Sequence, residues 1–181
     1  LHGFIPAFKN RDRVRGILTN AAPHAGHDWL INVDLKDFFH TVYLDRVNNY
    51  FHFLGYDEEV VKTLTALCTY KSRLPQGAPT SPMLSNIIAS KMDEKMLEYC
   101  TKRGIIYTRY ADDLTFSADY GVKVPHMEDI YKIVYQNGFK VNRMKTKIRF
   151  KGCKQEVTGL TITNGVKEKK KYKKEILREL H

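Results

Sequence analysis

The sequence predicts an α+β fold in which a small antiparallel sheet is backed by helices. Two observations carry this. Segments with apolar residues three and four apart are interleaved with short apolar or alternating runs, and aspartates stand at the ends of the runs that read as strands. In chain order, residues 27–35 (HDWLINVDL) place Trp29, Ile31 and Val33 on one face and Leu30 on the other, and end a strand at Asp34. Residues 37–55 are helical in pattern, capped by Asp37 and closed by Gly55. Residues 57–70 open with Asp57 and an acidic first turn, then carry Val60, Val61, Leu64, Leu67 and Cys68 at helical spacing. The prolines and glycine of LPQGAPTSP (74–82) make it a loop. Ser81 and Pro82 read as the cap and first position of a helix that carries Leu84, Ile88, Met92 and Met96 and runs to about Gly104. A hairpin follows around Asp112. Residues 125–138 form an amphipathic helix ended by Gly138, FKVN (139–142) and TKIRF (146–150) are two short strands, and residues 156–163 alternate as one strand. A last helix begins near Val166.

Composition limits the function classes. Thirty Lys and Arg against twenty Asp and Glu leave a net charge of +10, which points to a polyanionic partner. Part of the excess is local, in KEKKKYKKE (167–175), which reads as a solvated helix face. The rest is spread over Lys9, Arg11, Arg13, Arg15, Lys71, Arg73, Arg103, Arg109, Lys140, Arg143, Lys145 and Lys147, interleaved with Tyr and Phe. That interleaving suits phosphate contacts beside stacked bases or sugars. Cys68, Cys100 and Cys153 are scattered and lack metal-site spacing, so they read as reduced thiols of a cytoplasmic protein. No apolar run approaches membrane-spanning length and no signal peptide is recognisable. The first residue is Leu and the last lie in a lysine-rich helical pattern, so a fragment, a processed chain or an otherwise incomplete sequence is expected.

The chemistry centres on YTRYADDLTF (107–116), where Asp112 and Asp113 adjoin between apolar runs. Such a pair is ordinarily a hairpin tip, since Asp suits turns. The sharper alternative is a divalent cation, which takes carboxylate oxygens and keeps positions open for water and substrate phosphates. A third acid makes that choice. Asp34 ends an apolar strand that a sheet can set beside the Asp112 turn, and three clustered carboxylates cannot all be ionised cheaply without a cation between them. Two metals about 3.5–4 Å apart would activate an attacking hydroxyl and stabilise a leaving oxygen.

Asp34 in VDLKDFF, the loop LPQGAPTSP and the turn YADD follow one another in the order and spacing of reverse transcriptases, and the resemblance covers essentially the whole chain. NAAPH (20–24) and VTG (157–159) resemble the N-A-x-x-H and V-T-G elements of the bacterial retron type, while the Gln and Pro of the loop argue against diversity-generating retroelement enzymes. The resemblance implies a right-hand polymerase palm with partial fingers: a fingers remnant at 1–26, palm at 27–42, fingers helices at 43–77, palm at 78–165 and the start of the thumb or connection at 166–181. It implies an RNA-directed DNA polymerase, a nucleotidyltransferase of the bacterial cytoplasm. Its template and primer source would be a structured non-coding RNA. It would use deoxynucleoside triphosphates, two Mg²⁺ ions (with Mn²⁺ able to substitute) and often an effector protein in antiviral defence, and its product would be DNA. A CRISPR-associated or group II intron-like enzyme, or a non-catalytic RNA-binding scaffold, stand as alternatives.

The same resemblance assigns roles. Asp34 and Asp112 bridge the metals, Asp113 tunes them and binds less directly, and Leu35 approaches metal and triphosphate through its backbone. Phe39 is the aromatic gate that excludes a ribose 2′-OH, with Phe38 in the core. Gln76 and Gly77 lie over the nucleotide, Gly77 allowing close backbone approach. Lys145 donates a proton to departing pyrophosphate. One of Arg11, Arg13 and Arg15 binds triphosphate. His24 is structural or touches RNA, Tyr110 supports the primer end, and residues 156–163 match the primer grip by order.

Overall fold

The computed structural model describes residues 3–4, 16–163 and 165–167. Its elements are β1 (Gly3–Phe4), α1 (Ile17–Ala21), β2 (Trp29–Leu35), α2 (Leu44–Phe53), α3 (Glu58–Cys68), α4 (Ser81–Thr101), β3 (Ile106–Tyr110), β4 (Asp113–Ala118), α5 (Met127–Gln136), β5 (Val141–Phe150), β6 (Glu156–Val157) and β7 (Leu160–Thr161). The first five strands form one antiparallel sheet in the order β1-β3-β4-β2-β5, and β6 and β7 form a separate hairpin. The mixed helix-and-sheet architecture agrees with the expected α+β class.

Strand alternation divides the core in two. Trp29, Ile31, Val33 and Leu35 of β2, with Leu114 and Phe116 of β4 and Tyr107 of β3, join Val47, Phe51, Val61, Met92, Met96, Ile130 and Val134 from the helices in one large buried cluster. Leu30 points the other way. It meets Ala21 of α1 and Val157, Leu160 and Ile162 in a second, small cluster. The β6–β7 hairpin and α1 therefore cover one end of the sheet face that the long helices leave open.

Five local expectations need correction. Residues 37–55 are not one helix. Asp37 sits at φ +52°, a left-handed conformation, and caps nothing. A single 3₁₀ turn spans Phe39–Thr41, with Thr41 Oγ1 donating to the Phe38 carbonyl, and α2 begins only after extended Tyr43. The β-branched pair Thr41–Val42 is buried there and is stiff against helix continuation. Gly55, at φ +88°, does close α2. Thr80, not Ser81, is the N-cap of α4, because Ser81 Oγ donates to the Pro75 carbonyl at 2.6 Å and ties down the preceding loop. The two strands expected at 139–150 are one ten-residue strand, β5, interrupted by a bulge. Residues 156–163 form a tight hairpin. Thr158 and Gly159 both have positive φ, at 45° and 85°, the pattern of a type I′ turn. Val166 and Lys167 are not helical, Lys167 bridging back to Thr161, and residues 168–181 lie outside the described residues. So do Lys9, Arg11, Arg13 and Arg15 and the expectations placed on them.

Candidate active site

Pairing register brings the expected acids together. Asp34 stands opposite Asp113 across β2 and β4, and the Leu35 N–H donates to the Asp112 carbonyl at 2.8 Å. The two-residue connection Ala111–Asp112 joins β3 to β4, with Ala111 at φ +51°. On the far side of β2, Asn32 pairs with Lys147 and Asp34 with Asn142, so β5 spends more residues than β2 over the same span. The excess backbone bulges and lets Lys145 reach over, its Nζ lying 3.2 Å from Asp34 Oδ2. Asp34, Leu35, Asp112, Asp113 and Lys145 thus share one end of the sheet.

The electrostatics result from this crowding. Burial pushes the Asp113 carboxyl up to about 6, helped by the negative charges of Asp112 and Asp34 and opposed by Lys145. Burial also raises Asp112, with Asp34 adding to it. Asp112 and Asp113 thus resist carrying bare negative charge side by side, and the Lys145 ammonium lies against the neighbouring Asp34. Among the described residues no group of three His, Cys, Asp or Glu is arranged to hold a metal ion as it stands. The three-carboxylate cluster expected from the sequence is therefore not drawn together as a ligand set. What the residues offer is the kind of donor Mg²⁺ takes, one or two carboxylates with water and substrate phosphates in the remaining positions, in Asp34 and Asp113 paired across β2 and β4.

The other expected residues surround this end unequally. Phe38 is buried, stacked on Phe139 with ring centroids 5.5 Å apart. Phe39 is half-buried, 5.4 Å from the Phe38 ring, and lines a narrow crevice with Pro82, Ser85, Asn86 and Ala111, next to the Asp112 turn. Gln76 and Gly77 are exposed. Gly77 has φ +94°, and Gln76 lines a separate cleft of about 580 Å³ with His40, Tyr70, Lys71, Arg73 and Pro75. Tyr110 is half-buried and pairs with Asp113.

One side chain departs from its sequence reading, and a second takes the structural one of its two expected roles. Arg109, counted among the dispersed basic residues, is 1% exposed and cannot track a polyanion. It forks onto Asp93 of α4. The signal was present, since Asp93 shares the buried face of α4 with Ala89, Met92, Met96 and Cys100, where an acid needs a cationic partner. His24 is fully buried between β3 and β4, with Nδ1 2.7 Å from Ser117 Oγ and Nε2 2.8 Å from Thr108 Oγ1. Burial, with His27 nearby, pushes it down to about 3, so it is a neutral structural link.

Comparison with known proteins gives the family and the fold. Residues 1–173 match the family described as reverse transcriptase (RNA-dependent DNA polymerase). The retron Ec86 reverse transcriptase of Escherichia coli is 42% identical over 174 residues, 94% of this chain and 54% of that protein. The retron Mx65 reverse transcriptase of Myxococcus xanthus is 38% identical over 180 residues, 89% of this chain and 40% of that protein. The chain thus spans about half, or less, of the length of these relatives. Among solved structures, telomerase from Candida tropicalis with a fragment of telomeric RNA matches at TM-score 0.56 and 14% identity, covering 84% of this chain and 31% of that one. The foamy viral protease–reverse transcriptase with an RNA/DNA hybrid matches at 0.52 and 19%, covering 89% and 19%. At these identities the likeness is one of fold, the polymerase palm. Among the described residues no helix is long and apolar enough to cross a membrane.

Proposed function

Because this chain belongs to the reverse transcriptase family, we propose that it is the palm and part of the fingers of a retron-type RNA-directed DNA polymerase. One observation carries the reading: the β2–β4 register that sets Asp34 against Asp113 and hangs the Asp112 carbonyl on the Leu35 N–H. Asp34 and Asp112, with the Leu35 backbone and Asp113 beside them, are the groups that hold the divalent cations. Bound there, Mg²⁺, or Mn²⁺ in its place, supplies activation of the primer hydroxyl and neutralisation of charge at the leaving oxygen. Asp113, pushed up to about 6, lies close enough to neutral pH to respond to whatever occupies the site. Lys145, whose Nζ lies 3.2 Å from Asp34 Oδ2, would give a proton to departing pyrophosphate. Phe39, beside Ala111, would wall the sugar position, and Gln76 and Gly77, in the loop before α4, would lie over the nucleotide.

In the same reading, residues 27–42 and 78–165 are palm, 1–26 and 43–77 fingers, and 166–181 the start of the thumb or connection. The template and primer source is a structured non-coding RNA, deoxynucleoside triphosphates are the substrates and DNA is the product. An effector protein and the bacterial cytoplasm complete the setting. The test is primer extension by the full-length protein on an RNA template. Asp112→Asn should abolish extension while RNA affinity, which rests on phosphate contacts elsewhere, stays nearly unchanged. Substantial extension by that variant would sink the two-metal reading.

A further inference from the structure

Resting on the reading of Asp112 as a metal-holding carboxylate, we propose that the buried Arg109–Asp93 pair is a positioning device for the Asp112 turn. It holds Ala111 in the left-handed conformation that presents the carboxylate.

The pair is costly to keep if stability is its only purpose. Both side chains are 1% exposed. Buried ion pairs often stabilise no more than apolar residues of the same volume, so burial alone does not explain them. Geometry does. Arg109 Nε and Nη2 grip both Asp93 oxygens, at 2.9, 3.2 and 2.7 Å, and Asp93 Oδ1 also accepts from the Tyr107 hydroxyl at 2.7 Å. This fixes the guanidinium plane against α4. The remaining nitrogen, Nη1, donates to Asn86 Oδ1, also on α4, and to the Ala111 carbonyl, both at 2.9 Å. The guanidinium carbon lies 5.5 Å from the Phe38 ring centroid. A rigid fork anchored on a long helix therefore reaches past the strand end and holds one backbone oxygen of the turn.

That oxygen matters because of its position in the turn. The Ala111 carbonyl belongs to the peptide that leads into Asp112, and the Asp112 carbonyl, on the next peptide, accepts from the Leu35 N–H at 2.8 Å. Both peptide planes flanking the Asp112 Cα are thus fixed, one by Arg109 and one by β2. Only the side-chain torsions of Asp112 remain free. Ala111 needs this support, since at φ +51° its Cβ meets the steric penalty that glycine escapes. A strained conformation persists only where its surroundings over-determine it.

The test is a rescue experiment on the full-length protein by steady-state primer extension. Arg109→Gln with Asp93→Asn removes both charges and keeps an acceptor for Tyr107. It should lower kcat by about 10²-fold, the scale of a 1 Å misplacement, with little change in KM for the deoxynucleotide. Adding Ala111→Gly, which adopts the left-handed turn without strain, should restore at least tenfold of that loss, whereas a purely structural role would not respond to glycine at the turn. If the double variant does not fold by circular dichroism, Arg109→Lys carries the same test. It keeps the charge opposite Asp93 but cannot also reach Ala111 through a planar fork. A folded variant with wild-type kcat, or a kcat loss unmoved by Ala111→Gly, overturns the proposal. A wild-type protein that fails to extend primers overturns the polymerase reading and this proposal with it.

Discussion

Asp113 is held in a state it would not choose. Its ordinary carboxyl value is 3.8 and the fold pushes it to about 6, burial first and the neighbouring carboxylates next. Between about pH 4 and pH 6 the folded chain binds a proton that the unfolded chain does not. Stability from this group therefore rises as pH falls through that window and is lowest above pH 6. Asp113→Asn should raise the urea midpoint of the metal-free protein near pH 7.5, and the two midpoints should converge near pH 4. A variant no more stable than wild type at pH 7.5 would mean that the carboxylates do not oppose one another in the fold. The phenylalanine pair gives a second prediction. Phe38 is core and Phe39 stands half-buried beside the turn. Phe39→Val should raise ribonucleotide incorporation tenfold or more, because overlap with a rigid ring is relieved only by removing the ring. Phe38→Val should instead cost about 2–4 kcal/mol of stability and leave sugar choice alone. Single-nucleotide extension and urea melts separate the two. At this scale the sequence was legible where strand ends fix position, since the pairing register does bring Asp34 to the Asp112–Asp113 turn. It was opaque where a charge is internal: nothing local distinguishes Arg109 from the exposed cations, and only Asp93 on the apolar stripe of α4 hints at its partner.

The elements that position the site are short, and their misreadings share a cause. Val157, Thr158, Gly159 and Leu160 satisfy the alternation of a strand as well as a hairpin, and the deciding signal is the left-handed pair Thr158–Gly159. Likewise 37–55 has helical spacing throughout, but packing Phe38 and Val42 into the main core bends the chain through a 3₁₀ turn before α2 can start. The long elements, α3, α4 and α5, lie where periodicity put them because one face of each joins the main core. His24 joins this scale to function. It links β3 to β4 through Thr108 and Ser117, stiffening from beneath the hairpin that carries Asp112. His24→Ala should cost about 2–4 kcal/mol, combining a cavity with two hydroxyls left without their partner. The pH signature has the opposite sign to that of Asp113. The His24 ring is pushed from 6.5 to about 3, so between these values the unfolded chain binds the proton. Its contribution is complete above about pH 6.5 and is lost as pH falls toward 3. Urea midpoints of wild type and His24→Ala should therefore approach each other as the solution is acidified. A constant gap from pH 7 to pH 4 would show that His24 is not buried neutral.

Seen whole, the molecule divides its sheet between two tasks: the long helices bury one face, and the other carries the acids at one end and the small β6–β7 cluster at the opposite end. Net charge indicated a polyanionic partner, but only the fold sorts the cations that can meet one from those that cannot. Arg109 is internal, and Arg46 is half-buried, stacked 4.6 Å from the Phe139 ring and bonded to the Asn137 carbonyl. Lys140, Arg143, Lys145 and Lys147 are exposed, and all lie on β5 or at its entrance, beside Asp34. If this strand tracks the backbone of a template–primer duplex, each cation that neutralises a phosphate releases a counterion on binding. The logarithm of affinity then falls with the logarithm of salt by roughly 0.9 per phosphate for B-DNA, and less for an RNA hybrid. Lys147 lies two residues beyond Lys145, away from the Asp34 contact, so it tests the track without disturbing the carboxylates. Fluorescence anisotropy of a labelled RNA/DNA duplex with the full-length protein, titrated with KCl, should give a steep slope. Lys140→Ala and Lys147→Ala should each flatten it by up to about 0.9 and weaken binding similarly for unrelated sequences, since phosphate contacts carry no base information. The β5 surface would lose its assignment if the slope were unchanged in both variants. A nearly flat wild-type slope would go further and remove the duplex itself as the partner that the excess positive charge serves.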